Sequence, residues 1–200
     1  YLVAGMGDAL ATKFEAEACQ KSGAKNLLGG RPTRTCLILA QLAFDIIMER
    51  GILAKLSVER KVITPALEEV IEATILLSGI GFESGGLAVA HAFHNGISIL
   101  KEARSILHGE KVAYGLLTQL VLEGRPSQKM EEILLFFKNI GLPICLDDLG
   151  LQEISQESLK AVAERSCKVS YMSNMPFHIS SQMLYDAILA VDSLGKNIKH

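Results

Sequence analysis

The sequence predicts an all-α fold, a bundle of about eight helices that forms one domain over residues 1–200. Apolar residues recur every three to four positions along most of the chain, as on one face of a helix. Glycine, proline and small polar residues interrupt this pattern at short intervals, and no convincing alternating strand pattern follows the opening residues. Because no repeat period or long linker divides the chain, we expect a single domain.

The opening segment combines a strand-like YLVA with the glycine pair of GMG. This order is typical of a dinucleotide-binding turn, but Leu10 stands where that motif needs its third glycine. The next element is also another helix, whereas a Rossmann unit needs a second strand that ends in an acidic ribose ligand. We therefore expect no phosphate site here, and interpret Asp8 as the N-cap of a helix that stops at Gly23.

The remaining helices are placed by capping residues and by glycine stops. The predicted helices are one from beyond Pro32 to Gly51, one from Thr64 and Pro65 to Gly79, a histidine-containing segment opened by Ser84, one that follows His108, one capped by Ser127 that ends at Gly141 before Pro143, and two that start at Ser155 and Ser180.

Charge and hydropathy exclude two classes of partner. With 20 basic and 22 acidic residues and no Lys/Arg cluster, the chain lacks the basic footprint of a nucleic-acid-binding protein. Although 49% of the residues are hydrophobic, no apolar run approaches the roughly 18 residues of a membrane span. We expect the excess apolar surface to face a partner domain or another subunit.

Cysteine usage and the first residues bear on the cellular compartment. The four cysteines are scattered without a C-x-x-C pair, which is typical of free thiols in a reducing cytoplasm and makes a sulfur-bound metal improbable. The opening residues carry no basic region typical of a signal peptide and no initiator Met. We therefore expect a cytoplasmic protein whose sequence starts within a longer chain.

Three of the five histidines lie between Gly81 and Gly115. A single histidine on an apolar helix face is usually a hydrogen-bonded core residue, but three in one apolar segment favour a site. His91 and His94 are three residues apart and lie on one side of a helix, while His108 lies at a helix junction. If Asp8, His91 and one more histidine converge, they supply three ligands and leave one position open, as in catalytic zinc sites.

Other catalytic patterns fit less well. The chain has no H-E-x-x-H motif, no E-x-x-H repeat of a di-iron bundle, and no nucleophile elbow. The chain also contains three longer stretches, GMGDALATKFEA, GFESGGLAVAHAFHNG and HGEKVAYGLLTQLVLE. These stretches resemble the metal-dependent polyol dehydrogenase family, which includes the glycerol dehydrogenases. The resemblance covers the whole chain as the C-terminal all-helical domain of that family, which is shared with iron-dependent alcohol dehydrogenases and dehydroquinate synthase.

The resemblance implies a site and a reaction. Its metal ligands are one Asp and two His, which match Asp8, His91 and His108. The iron-dependent branch carries an additional His four residues after the Asp, where this sequence has Thr12, so zinc is favoured. The implied reaction is NAD-dependent oxidation of glycerol to dihydroxyacetone, with zinc polarising the hydroxyl. In the family NAD is bound by an upstream α/β domain that this chain lacks, so we expect the isolated chain to be inactive.

The resemblance also leaves roles and alternatives open. His94 could relay the hydroxyl proton, orient a ligand or simply pack, and Phe82 and Ser84 at the start of the histidine helix are predicted to line the diol pocket. Relatives in the family assemble into homo-oligomers, so the resemblance implies a homo-oligomer with a second copy of the chain as partner. The alternatives are a dehydrogenase for another vicinal diol, a dehydroquinate synthase-like enzyme, whose acidic ligand is Glu in place of Asp8, and a non-catalytic helical assembly domain.

Overall fold

The computed structural model describes residues 1–199, and within this range the chain is helical and contains no strand. The predicted all-α class is confirmed. Because α3, a π-helical turn and α4 form one continuous run, the nine α-helices make eight helical rods. Their bounds are α1 (Leu2–Ser22), α2 (Arg34–Arg60), α3 (Pro65–Glu72), the π turn (Ala73–Leu77), α4 (Ser78–Gly85), α5 (Val89–Ile97), α6 (His108–Leu122), α7 (Ser127–Ile140), α8 (Gln156–Cys167) and α9 (Ser181–Lys199).

The close crossing of α1 and α6 lies at the centre of the fold and depends on two glycines. A Cβ atom on Gly7 would lie 2.7 Å from the carbonyl oxygen of Gly109, and a Cβ on Gly109 would overlap the backbone carbonyl of Ala4. Only residues without a side chain allow two helix backbones to approach this closely. The crossing brings the residue after Gly7, Asp8, towards the first residue of α6, His108.

The predictions for the opening segment are wrong in two respects. YLVA is not a strand, because α1 already begins at Leu2 and the Gly5 N–H donates to the carbonyl of Tyr1 at 2.9 Å. Asp8 is therefore not an N-cap and lies inside the helix. Of the two glycines of GMG, Gly7 packs against α6 and Gly5 faces Thr74 of the π turn, so both lie in helix contacts and neither forms a turn.

Two predicted glycine stops are also wrong. Gly51 lies inside α2, where a Cβ would come 2.7 Å from the ring of Phe136, so its role is close packing. The helix ends instead at Arg60, followed by Lys61 in the left-handed conformation with φ 55°. Gly79 lies within α4, which continues to Gly85.

Most of the other end signals are confirmed. The side chains of Thr64 and Ser155 accept cap hydrogen bonds from the backbone, and Ser180 accepts one from the Met183 N–H at 3.2 Å. Gly23 and Gly141 end their helices in the left-handed conformation.

Two serine signals fail. Ser127 is the first residue of α7, and the preceding Pro126 occupies the cap position without a side-chain hydrogen bond. Ser84 does not open the histidine helix. It lies near the end of α4, and α5 begins only at Val89, after a turn in which Gly86 has φ 99°. Glycine tolerates this backbone conformation, which side-chain-bearing residues rarely adopt.

An apolar surface remains exposed on α2 and on the Pro65–Gly85 run. Its members are large hydrophobic side chains that the described part of the chain leaves at least two-fifths exposed: Ile38, Leu42, Ile52, Leu53, Leu56, Val58, Ile71, Ile75, Leu76 and Ile80. Among residues 1–199, no single helix has the length and apolar character to cross a membrane. The bent pair Pro65–Gly85 and Val89–Ile97, which meet at 97°, would satisfy both criteria only together.

Candidate metal centre

Asp8, His91 and His108 converge from three helices. Asp8 projects from inside α1, His91 from the first turn of α5, and His108 is the first residue of α6. The Asp8 Oδ1 atom lies 3.3 Å from His91 Nε2 and 3.5 Å from His108 Nε2. One ligand atom from each of the three side chains lies within 4.8 Å of the others. The structure therefore brings together the three residues singled out in the sequence.

The three side chains of this cluster differ in their exposure to solvent. The side chains of Asp8 and His108 are 41% and 50% exposed, whereas that of His91 is 12% exposed. His91 thus forms the buried wall of the site, and the Asp8 and His108 side is open to an incoming molecule.

Glu15 is a buried carboxylate behind His91 that the sequence analysis did not identify. Its Oε2 atom lies 2.6 Å from His91 Nδ1, and its Oε1 atom accepts from the backbone N–H groups of Ala88 at 2.7 Å and His91 at 3.1 Å. Because a carboxylate only accepts hydrogen bonds, His91 Nδ1 carries the hydrogen and His91 Nε2 is directed towards Asp8. The available sequence signal was its position seven residues after Asp8, on the same face of an otherwise apolar helix.

His94 stands in the equivalent position behind His108. Its Nε2 atom lies 3.1 Å from His108 Nδ1, and the two ring centroids are 4.3 Å apart. If His108 Nδ1 donates in this bond, a metal ion on the side of Asp8 can bind its Nε2 in place of the contact with Asp8. Each of the two histidines of the cluster thus has its second ring nitrogen held by another side chain.

The electrostatics of the cluster follow from these contacts. Burial opposes ionisation of Asp8, but hydrogen bonds from His108 and His91 outweigh it and hold the Asp8 pKa well below its usual range. Burial also opposes protonation of His91, yet the Glu15 charge and the bonds to Asp8 and Glu15 raise its pKa to about 10. Burial, with the neighbouring His108, lowers the pKa of His94 to about 4. At neutral pH, without a metal, Asp8 is therefore anionic, His91 cationic and His94 neutral.

The structure places the two predicted pocket residues on a different helix from His91. Phe82 and Ser84 belong to α4 and not to the start of the histidine helix, because the Gly86 turn separates them from α5. Phe82 is 37% exposed, and the Ser84 carbonyl accepts from the Asn26 side chain at 2.9 Å. Their contact with a substrate stays a prediction.

Thr12 lies four residues after Asp8, where the resemblance to the iron-dependent branch would place an additional histidine. It is buried, and its hydroxyl pairs with that of Ser78 at 2.8 Å. The side chain therefore contacts α4, and its hydroxyl is already engaged in that bond.

Comparison with known proteins supports the resemblance. No protein-family model matches the chain. It is 47% identical to a glycerol dehydrogenase of Thermotoga maritima over 201 residues, and this alignment covers 100% of this chain and 55% of that protein. The crystal structure of a probable glycerol dehydrogenase from Sinorhizobium meliloti matches with a TM-score of 0.95 at 38% identity, covering 98% of this chain and 56% of that one.

The chain is homologous to the C-terminal part of glycerol dehydrogenases. A glycolaldehyde reductase of Halobacterium salinarum is also similar, at 42% identity over 200 residues, covering 100% of this chain and 55% of that protein. The chain thus spans about half the length of the curated relatives it matches. The resemblance and the fold predicted from the sequence are confirmed.

Proposed function

We propose that the chain is the metal-binding catalytic part of an NAD-dependent dehydrogenase that oxidises glycerol to dihydroxyacetone. The observation that carries the proposal is the convergence of Asp8, His91 and His108 in a chain 47% identical to a glycerol dehydrogenase. The same three residues would hold a zinc ion, with NAD bound mainly by an upstream domain. We expect the isolated chain to lack dehydrogenase activity, because the hydride acceptor would bind to the upstream domain.

The donor set fits zinc. One carboxylate oxygen and two imidazole nitrogens leave a coordination position for a substrate oxygen, as in catalytic zinc sites. For metal–ligand distances of about 2.05 Å, tetrahedral geometry places adjacent ligand atoms about 3.3 Å apart. The corresponding separations from Asp8 Oδ1 are 3.3 Å to His91 and 3.5 Å to His108. The engaged hydroxyl of Thr12 favours three protein ligands over the four of the iron-dependent branch.

The bound zinc would supply Lewis-acid polarisation of the substrate hydroxyl, which makes the adjacent carbon a better hydride donor. Asp8 stays anionic at all physiological pH values because of its histidine partners. The open side between Asp8 and His108 admits the diol, and buried His91 closes the opposite side. His94 remains neutral and fixes the ring of His108 through their hydrogen bond.

His94 has two alternative roles that can be tested: orientation of the His108 ring and relay of the hydroxyl proton. Its hydrogen bond to His108 favours an orienting role over proton relay. We expect His94→Ala, in the longer protein that contains this chain, to lower kcat without moving the pH–rate profile. A profile that loses an ionisation in His94→Ala would instead assign the hydroxyl proton to His94.

Metal content tests the proposal. We expect about one zinc per chain in the purified protein by mass spectrometry, and loss of that zinc in both His91→Ala and His108→Ala. His178→Ala is the matched control, since His178 is exposed and lies outside the cluster. Zinc retained in both cluster variants, or absent from the wild-type chain after zinc loading, would contradict the proposal and favour a non-catalytic helical assembly domain.

A second candidate is a reductase or dehydrogenase for another small hydroxy compound. The 42% identity to a glycolaldehyde reductase over the whole chain favours it. In the longer protein, we expect NAD+ reduction with glycerol to exceed that with 1,2-propanediol and to exceed NADH oxidation with glycolaldehyde. The reverse order of kcat/KM would assign the second function.

The exposed apolar surface on α2 and the Pro65–Gly85 run supports a partner. We propose that the upstream domain or another copy of the chain covers it, in a cytoplasmic homo-oligomer. The four cysteines are unpaired, as a reducing compartment requires. Sedimentation as a monomer, with no binding of an apolar dye, would argue against a partner on this surface.

A further inference from the structure

Glu15 has the burial and bonding of a group with a defined task. Its side chain is fully buried, and both oxygens are occupied. The two oxygens act on different groups. Oε1 binds two backbone N–H groups at the start of α5, and Oε2 binds the imidazole of His91.

A purely structural role would account for only half of these contacts. The N-terminus of α5 needs acceptors for its free N–H groups, and Ala88 at the cap position offers no side-chain acceptor. Glu15 Oε1 supplies one across the interface between α1 and α5. The bond from Oε2 to His91 Nδ1 adds nothing to the cap, and it fixes both the tautomer and the plane of the imidazole.

We infer that Glu15 is a positioning residue that holds His91 with Nδ1 protonated and Nε2 directed at the metal centre. The inference rests on the proposed function, since it concerns the same site. Glu15 cannot itself serve as a ligand, because its oxygens are buried and engaged, whereas Asp8, seven residues earlier on the same helix, is 41% exposed. Two carboxylates on one helix face therefore have separate tasks: Asp8 is the ligand and Glu15 orients a ligand.

The variant Glu15→Gln separates the two roles. The amide oxygen can still accept from Ala88 and His91 N–H, so the cap of α5 is retained. The amide NH2 then faces His91 Nδ1 and can only donate, which forces the hydrogen onto Nε2, the atom directed at the metal. Glu17→Gln is the matched control, because Glu17 lies on the same helix, two residues away, and pairs with Arg125 instead of a histidine.

The experiment measures Zn2+ affinity by competition with a chromophoric chelator, the visible spectrum of Co2+-loaded protein, and the Tm of metal-free protein. We expect Glu15→Gln to weaken Zn2+ binding by about 10–100-fold and to change the Co2+ bands. The metal-free variant should still unfold cooperatively, with a lowered Tm because the buried pair between Glu15 and protonated His91 is lost. Glu17→Gln should leave the affinity and the spectrum unchanged. Wild-type affinity and an unchanged Co2+ spectrum in Glu15→Gln would overturn the inference.

Two further results distinguish a failure of the inference from a folding defect of the variant and from a failure of the proposed function. If Glu15→Gln does not fold, 15N NMR of the zinc-loaded wild-type chain decides: His91 should carry hydrogen on Nδ1 and bind through Nε2, and the opposite arrangement would overturn the inference. If wild-type protein binds neither Zn2+ nor Co2+, the proposed function fails and the inference with it. Wild-type binding without an effect of Glu15→Gln refutes the inference alone.

Discussion

Replacing Gly109 by alanine would force α1 and α6 apart. The new Cβ would overlap the backbone carbonyl of Ala4, which no side-chain rotation can relieve. Overpacking of a core typically costs about 1–3 kcal/mol, and a backbone clash belongs at the upper end of that range. The higher helix propensity of alanine offsets roughly 1 kcal/mol of this loss in unfolding free energy. We expect a net loss of about 2 kcal/mol or more.

Chemical denaturation measures this change directly, with Gly79→Ala as the control. Gly79 also lies inside a helix, but its Cβ would meet nothing within 4 Å, so the substitution should stabilise the chain by about 0.5–1 kcal/mol. Because Gly109 follows His108, the separated helices should also weaken zinc binding. A Gly109→Ala chain as stable as the wild type, or stabilised like Gly79→Ala, would refute the account of this crossing.

Three further predictions test the chemistry and the packing. Since the His91 pKa is raised from 6.5 to about 10 in the fold, the protonated histidine stabilises metal-free protein, and this stabilisation is present in full below pH 6.5 and lost as the pH rises through about 10. Zinc displaces that proton, so titration calorimetry at pH 7.5 in buffers of different ionisation enthalpy should report about one proton released, and no release would exclude a protonated His91. Thr64→Ala should lose about 1 kcal/mol of unfolding free energy with its cap, whereas Ser127→Ala, which loses no cap bond, should stay within about 0.5 kcal/mol; equal losses would refute the cap assignment. Tyr114→Phe should lose about 1–2 kcal/mol because it leaves the buried Ile188 carbonyl without its 3.0 Å hydrogen bond, and an unchanged denaturation midpoint would contradict this.

Helix signals that act through neighbouring residues were predictable from the sequence. Thr64 and Ser155 cap helices through bonds to residues three positions later, so the pattern contains both partners. Gly51 was misinterpreted as a helix stop, and the packing role of Gly7 was not recognised, because their partners, Phe136 and Gly109, are distant in sequence. A glycine that permits close packing and a glycine that ends a helix look alike without the tertiary contact.

In the candidate site, too, some residues were predictable from the sequence and others only from tertiary contacts. Asp8, His91 and His108 were identified from their chemistry and from the family resemblance, and the structure places their ligand atoms together. Glu15 was missed because its partner His91 is 76 residues away, and an acidic residue on a helix usually faces solvent. His94 was singled out, but its pairing with His108 depends on the packing of α5 against α6.

The most direct test of the account is a crystal structure of the zinc-loaded chain with anomalous data collected on both sides of the zinc edge. The account predicts one zinc peak, bonded to the Asp8 carboxylate and to Nε2 of both His91 and His108, with Glu15 still hydrogen-bonded to His91 Nδ1. A zinc peak elsewhere, or a cluster that remains empty in crystals soaked with excess zinc, would contradict it.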